Sequence, residues 1–428
     1  MKNVTDDQEI LKSLYSGQNT FITGSAGSGK TYLASDFGRS ASRTAISATT
    51  GVAALTVKGE TVHRFLGLGT AARPEHAGKI IGKWGRIKNS TKPWDVAKWN
   101  VMKNLDALII DEVSMLRRDQ FELIDVVLSF IKDLPVAFGG VQMILVGDFF
   151  QLPPVVTSSD LYKYRDLVNP YCFQSDLWKQ GAFESFNLTC NYRQGEGEFL
   201  NALEQIRIGN ITQEVADLLE SRVDINLQIP MEPVKLFSHK ENVSNENISC
   251  LKKLSGEKYV SEAEFDGKEF DIKILEKECP AEKNLYFCKG AQVMMLTNHP
   301  NGYWVNGTMG IIDETNPVSI RLSNGRTITA PLHKWERTQP KVDSKGNITN
   351  PVVATMEQYP FKLAYATTIH KSQGLTLDYI DIDLSNCFAP GQAYVALSRA
   401  KTLEGLRLRG WNKNSIKTDK RVSKFYGL

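Results

Sequence analysis

The run Thr20-Phe21-Ile22-Thr23-Gly24-Ser25-Ala26-Gly27-Ser28-Gly29-Lys30-Thr31 decides the fold. A short β-branched, apolar segment runs directly into a loop in which three glycines precede a lysine, and a helix-forming segment, 32–37, follows. Residues 24–31 match the phosphate-loop pattern G-x-x-x-x-G-K-[ST] at every fixed position. Glycines allow consecutive backbone N–H groups to converge on phosphate oxygens, at a helix N-terminus whose dipole already favours negative charge. Lys30 adds a compact positive charge for the β- and γ-phosphates, and Thr31 offers a hydroxyl to magnesium. Gly24, Ser25, Ala26, Gly27, Ser28, Gly29, Lys30 and Thr31 are therefore candidate nucleotide-binding residues. A chance glycine-rich turn would lack both the strand before and the helix after.

Outward from this loop, short apolar runs alternate with helical segments, the pattern of a parallel α/β sheet. Strands are expected at 20–23, 44–47, 107–110 and 142–146, with a second set at 234–237, 363–367 and 379–384. Each ends in polar or glycine-rich residues, where open α/β sheets bind ligands. Two nucleotide-type α/β domains in tandem account for both sets. The first is expected at 1–175, interrupted by the Lys-, Arg- and Trp-rich stretch 67–103. The second takes 176–261 and 357–428. Between its halves, 262–356 carries short β-like runs separated by Asn301-Gly302, Asn306-Gly307 and Asn324-Gly325 turn signals, a small inserted β-barrel.

Other residues complete a phosphoryl-transfer site. Leu108-Ile109-Ile110-Asp111-Glu112 puts two acids at a strand end: Asp111 for magnesium and Glu112 to orient and deprotonate a water. Gln151, in Gly147-Asp148-Phe149-Phe150-Gln151-Leu152-Pro153-Pro154, can hydrogen-bond a γ-phosphate without adding charge. Arg193 and Arg399 are candidates for neutralising charge on the γ-oxygens. In 67–103, Lys79, Lys83, Arg86, Lys88, Lys92, Lys98 and Lys103 alternate with Trp84, Trp94 and Trp99. That mixture suits either a duplex-contacting element or a solvated basic face with tryptophans packed beneath it.

The 428 residues exceed what one core supports, and a charge of +3 makes no case of its own for a nucleic-acid partner. Six cysteines without a CxxC pair (Cys172, Cys190, Cys250, Cys279, Cys288, Cys387) fit reduced thiols in a cytoplasm rather than disulfides or zinc. No apolar run reaches the roughly 20 residues of a membrane span, and the polar N-terminus lacks the order of a secretory signal.

Taken in order, these segments resemble the superfamily-one helicases, specifically the Pif-type (petite integration frequency) branch, over nearly the whole chain. The resemblance rests on 48–54 (ATTGVAA), 61–65 (TVHRF), 111–115, 118–125, 147–154, 366–376 (ATTIHKSQGLT) and 391–400 (GQAYVALSRA). It implies two RecA-like domains, an SH3-like barrel at 262–356 and a wedge at 67–103. It implies ATP and Mg2+ as cofactors and 5′-to-3′ movement on DNA by a monomeric, cytoplasmic minimal core. Gln8 becomes the adenine-reading glutamine and Gly374 a nucleotide-site residue. Arg193 and Arg399 become arginine fingers reaching across from the second domain. Thr49, Thr50, His63, Phe65, Pro153, His370, Lys371 and Ser372 become DNA contacts. The implied partners are single-stranded DNA and single-strand/duplex junctions. Folded G-rich (G-quadruplex) DNA, forks and recombination intermediates stay open as cellular targets. The phosphate loop alone also suits an ATP-binding switch that does not move on DNA, a reading that leaves 367–374 and 391–400 without a role. An RNA-directed member of the superfamily is the third reading.

Overall fold

The computed structural model describes residues 1–5, 7–69, 73–156, 168–194, 197–237 and 241–428. Its first sheet has seven strands: β1 (Lys2–Val4), β2 (Thr20–Gly24), β3 (Thr44–Ala48), β4 (Glu60–Thr61), β5 (Ala107–Asp111), β6 (Gln142–Val146) and β7 (Glu184–Leu188). They lie in the order β1-β7-β2-β6-β5-β3-β4, all parallel. β2, β3 and β5 are buried along their full length, as expected of central strands covered on both faces. One face packs under Phe21, Leu108, Ile110, Phe121 and Leu145, the other under Ile10, Ile22, Phe37, Ile109 and Ile144. Because side chains alternate along each strand, neighbours such as Phe21 and Ile22 serve opposite cores.

The second parallel sheet has four strands, in the order Ala366–Thr368, Val234–Phe237, Ile380–Asp383, Leu406–Gly410. The expected strand at 363–367 is two elements. Phe361–Leu363 pairs antiparallel with Gln292–Met295, and only Ala366–Thr368 joins the parallel sheet. The runs expected between 285 and 330 are strands, and most belong to a five-stranded antiparallel sheet. Further antiparallel pieces include the three-stranded sheet of Glu264–Gly267, Val352–Gln358 and His333–Thr338, with the helix Glu269–Glu278 packed beside it.

Tertiary structure moves two expected boundaries. β7 lies past 175 yet sits between β1 and β2 in the first sheet, because Phe186 and Leu188 fill the first domain's core. The tail also departs from the expected assignment of 357–428 to the second domain. Its last helix, Lys420–Tyr426, returns to the first core through Val422, Phe425 and Tyr426.

The stretch 67–103 enters between β4 and β5 as helices Ala77–Lys88 and Pro93–Lys103, packed on Arg118–Lys132. Its tryptophans divide. Trp84 is fully buried with its indole N–H donating to the Leu66 carbonyl (2.9 Å), whereas Trp94 is 66% exposed. Truncating Trp84 to alanine should therefore cost about 3–5 kcal/mol. Equilibrium urea unfolding of Trp84→Ala against the parent checks this, and a loss under about 1 kcal/mol would mean that the helices are not anchored there.

Candidate active site

The parallel strands deliver their C-terminal ends to one edge, and the polar residues collect there. After β2 the chain turns through Gly24, Gly27 and Gly29, all at positive φ, and enters the helix Lys30–Ser40. Gly27 has a second reason to lack a side chain, since a Cβ there would lie 2.5 Å from the Arg193 Cβ. The segment after β7 lies over the loop: Asn191 Nδ2 donates to the Ala26 carbonyl (3.0 Å) and the Tyr192 N–H to the Gly27 carbonyl (2.9 Å). Lys30 Nζ donates to the Gly24 and Ser25 carbonyls (2.8 and 2.7 Å) and to Ser28 Oγ (3.1 Å). Burial pulls its pKa down to about 8, against the opposing pull of Asp148, Glu112 and Asp111.

At the end of β5, Asp111 accepts from Thr31 Oγ1 (3.0 Å) and from the Glu112 N–H (2.9 Å). Neither donor is charged, and burial holds the Asp111 pKa above its usual value. A hydroxyl and a buried carboxylate are hard oxygen donors of the kind Mg2+ takes, so these two residues fit the ion. Glu112 adopts a left-handed backbone conformation that re-aims the chain (φ 55°, ψ 44°). Its pKa is pushed up to about 7, by burial first and by Asp111 second. One side chain bridges it to the second domain: Gln373 Nε2 donates to Glu112 Oε2 (2.9 Å) and to Gln151 Oε1 (3.2 Å). The sequence reading gave Gln373 no role of its own within the run 366–376; its amide meets both Glu112 and Gln151.

The two arginines stand differently from the sequence expectation. Arg193 does not reach across from the second domain. It follows β7 of the first sheet, because that strand lies beside the phosphate loop, and its Nη2 donates to the Gly374 carbonyl (3.3 Å) while Nη1 is buried with no partner among the described residues. Arg399 does belong to the second domain, just past the helix Gln392–Leu397. Its guanidinium is spent there, on the carbonyls of Val395 (2.8 Å), Ser372 (3.4 Å) and Leu375 (3.3 Å) and on Ser398 Oγ (2.7 Å). Burial and neighbouring Arg193 bring its pKa down to about 9. Cations and carboxylates buried beside one another are the arrangement that functional sites use.

Three further residues at this edge had no role in the sequence reading. Arg207, on the helix Glu198–Ile208, grips Asp148 through Nε and Nη2, both at 3.0 Å, with each side chain buried. Tyr394 accepts from the Ala26 N–H of the phosphate loop (2.9 Å). Asp148 and Tyr394 lie inside recognised runs, but nothing in the sequence marks Arg207 among the arginines of ordinary helices.

The residues expected to touch DNA are not equally available. His370 and Lys371 are exposed beside Gln373, and Pro153 is partly exposed. Ser372 is fully buried and its hydroxyl is satisfied by the Ile369 carbonyl (2.8 Å). Phe65 packs in the first core at 4% exposure. Thr50 caps the helix Gly51–Thr56, accepting from the Ala53 N–H (3.3 Å), and Thr49 Oγ1 donates to the Glu112 carbonyl (2.8 Å). His63 is largely buried and hydrogen-bonded to Gln120, its Nε2 has no partner among the described residues, and burial lowers its pKa. Gln8 opens the helix Gln8–Tyr15 and is exposed. Gly374 is exposed at positive φ, where it carries the carbonyl bound by Arg193.

Fold and site together define a phosphate-loop ATPase built from two facing α/β domains. The chain belongs to the PIF1-like helicase family, whose match spans residues 4–218. It is 36% identical to the ATP-dependent DNA helicase Pif1 of Bdellovibrio bacteriovorus, covering 98% of this chain and 91% of that one. It superimposes on Bacteroides sp. Pif1 in complex with ADP-AlF4 with a TM-score of 0.85 at 32% identity, covering 98% and 95% of the two chains. With Bacteroides Pif1 bound to ssDNA the TM-score is 0.64 at the same identity, covering 99% and 96%. The protein is an ATP-dependent DNA helicase.

Removing one partner of the Asp148–Arg207 pair strands a buried charge. Arg207→Ala should cost about 3–5 kcal/mol of stability, with Arg207→Ala/Asp148→Ala less destabilised than the sum of the single changes. Denaturant titration of the four proteins measures the coupling, and strict additivity would contradict the pairing.

Proposed function

We propose that the protein translocates 5′ to 3′ on single-stranded DNA and separates strands at single-strand/duplex junctions. Each step would be driven by Mg2+-dependent ATP hydrolysis between the two domains. The observation that carries this reading is the Gln373 bridge. A loop flanked by the exposed His370 and Lys371 holds the carboxylate expected to activate water and the glutamine expected to meet the γ-phosphate. DNA phosphates drawing His370 and Lys371 would shift that loop and release Glu112, which couples strand binding to hydrolysis.

In this mechanism the loop N–H groups and Lys30 seat the triphosphate, so Lys30 exchanges the Gly24 and Ser25 carbonyls for phosphate oxygens. Thr31 and Asp111 would hold Mg2+, which would neutralise charge on the triphosphate. Glu112, freed from Gln373, orients the attacking water and accepts its proton. Gln151 hydrogen-bonds the γ-phosphate. Arg193 Nη1 has no partner among the described residues and is available to the γ-phosphate, and Arg399 would turn from the carbonyls it now holds as the domains close. The better overlap with the nucleotide complex than with the ssDNA complex supports an arrangement that DNA changes.

Thr49, Thr50, Pro153, His370 and Lys371 are the DNA contacts favoured by position, the threonines through the helix end that they shape. The helices within 67–103 serve as the wedge, with exposed Trp94 and its basic neighbours outward. The antiparallel module around Met295, Ile312, Ile320 and Phe361 is read as the SH3-like barrel. Six free cysteines support a reducing, cytoplasmic setting. Among the described residues no helix is long and apolar enough to cross a membrane.

Unwinding of duplexes carrying either a 5′ or a 3′ single-stranded tail tests direction: activity is expected on the 5′-tailed substrate, and activity confined to the 3′-tailed one overturns the assignment. Lys30→Ala should abolish ATP hydrolysis and unwinding. Arg399→Ala should retain ATP binding but lose about 10³–10⁵ in DNA-stimulated turnover; unchanged turnover would remove Arg399 from the site.

A further inference from the structure

The helix Lys420–Tyr426 lies outside every motif read from the sequence, yet it ends against the active-site turn. After the last strand of the second sheet the chain crosses back, held by Tyr171 donating to Asp419 Oδ2 (3.1 Å). Phe425 then stacks on Phe173 (4.3 Å between centroids, 22°) within the first core. Tyr426 does something else. Its hydroxyl lies 2.7 Å from Thr23 Oγ1, on the residue preceding Gly24, and accepts from the Phe149 N–H at 3.3 Å. Phe149 is two residues before Gln151, whose own N–H closes the turn onto the Asp148 carbonyl (3.0 Å).

Donor counting is consistent. A phenol can accept from the Phe149 N–H while sharing its own proton with a threonine hydroxyl. The ring contributes separately, packing 4.7 Å from Phe150, and the Arg207 guanidinium sits over both rings at 4.8 Å (Phe150) and 5.6 Å (Tyr426). That guanidinium is the one gripping Asp148. Asp148, Phe149 and Phe150 are thus each held, directly or through Arg207, by Tyr426. Arg207 comes from a helix whose apolar face, Ala202, Leu203 and Ile206, is packed in the second domain's core. Tyr426 therefore stands where a pull from that domain would reach the turn.

We propose that Tyr426 is a positioning residue for ATP hydrolysis: its hydroxyl fixes the turn 147–151, and through it Gln151, against the phosphate loop. The proposal rests on Gln151 acting at the γ-phosphate. A tyrosine that merely sealed the core would owe its value to its ring alone, and Tyr426→Phe keeps the ring.

The test is steady-state ATP hydrolysis by the full chain with saturating single-stranded DNA, together with thermal melting, for Tyr426→Phe, Gln151→Ala, the double variant and Phe425→Leu. Tyr426→Phe should lose about tenfold in kcat, the worth of one hydrogen bond present in the reacting arrangement, with KM for ATP within about twofold and Tm close to the parent. Combined with Gln151→Ala it should add almost nothing, because the two act through one group. Phe425→Leu should lower Tm and leave kcat near the parent. An unchanged kcat in Tyr426→Phe, or additive losses in the double variant, overturns the proposal while leaving the active-site reading intact. A Gln151→Ala variant with parental kcat would instead refute the role of Gln151, and with it this proposal.

Discussion

A carboxylate and a guanidinium buried together hold the active-site edge in register. Asp148 has no exposure and Arg207 only 7%, and each would be costly to bury alone. Asp148 leaves the end of β6, beside Lys30, while Arg207 rides on a helix packed into the other domain. The pair fixes where the second domain meets the first, and other cross-domain contacts repeat that registration. Tyr394 accepts from the phosphate loop, Gln194 donates to the Ser398 and Ala400 carbonyls, and Gln373 reaches Glu112 and Gln151.

This arrangement restrains the reacting groups. Lys30 is turned onto carbonyls of its own loop, Arg399 onto carbonyls of its own domain, and Glu112 accepts from Gln373. Each of these groups is buried, at a cost that a bound triphosphate and metal would relieve. On the proposed mechanism, a site organised this way would turn over only when both nucleotide and strand are present.

The arginines show how far local pattern extends. A phosphate loop announces itself because glycine, lysine and threonine must stand at fixed offsets within eight residues. Arg193 was recognisable as a candidate, but its provenance was not. Only the insertion of β7 between β1 and β2 lays residues 191–193 over Gly27. That Phe65 and Ser372 are buried was hidden for a related reason. Motif membership says that a residue is constrained, not whether it faces solvent or core.

The sequence by itself determined the parallel α/β character, the glycine-rich loop that leads from a strand into a helix, the place of Asp111 and Glu112 at a strand end, and the antiparallel strands. These depend on periodicity and on short-range spacing that the backbone must obey wherever it folds. Tertiary structure alone decided that β7 and the last helix complete the first domain. It likewise decided that Trp84 is core while Trp94 is surface, and that Arg207, Gln373 and Tyr426 converge on one turn. Those outcomes come from contacts between distant residues, such as Thr23 with Tyr426, 403 positions apart, and no local pattern encodes which distant partner a buried polar group will find.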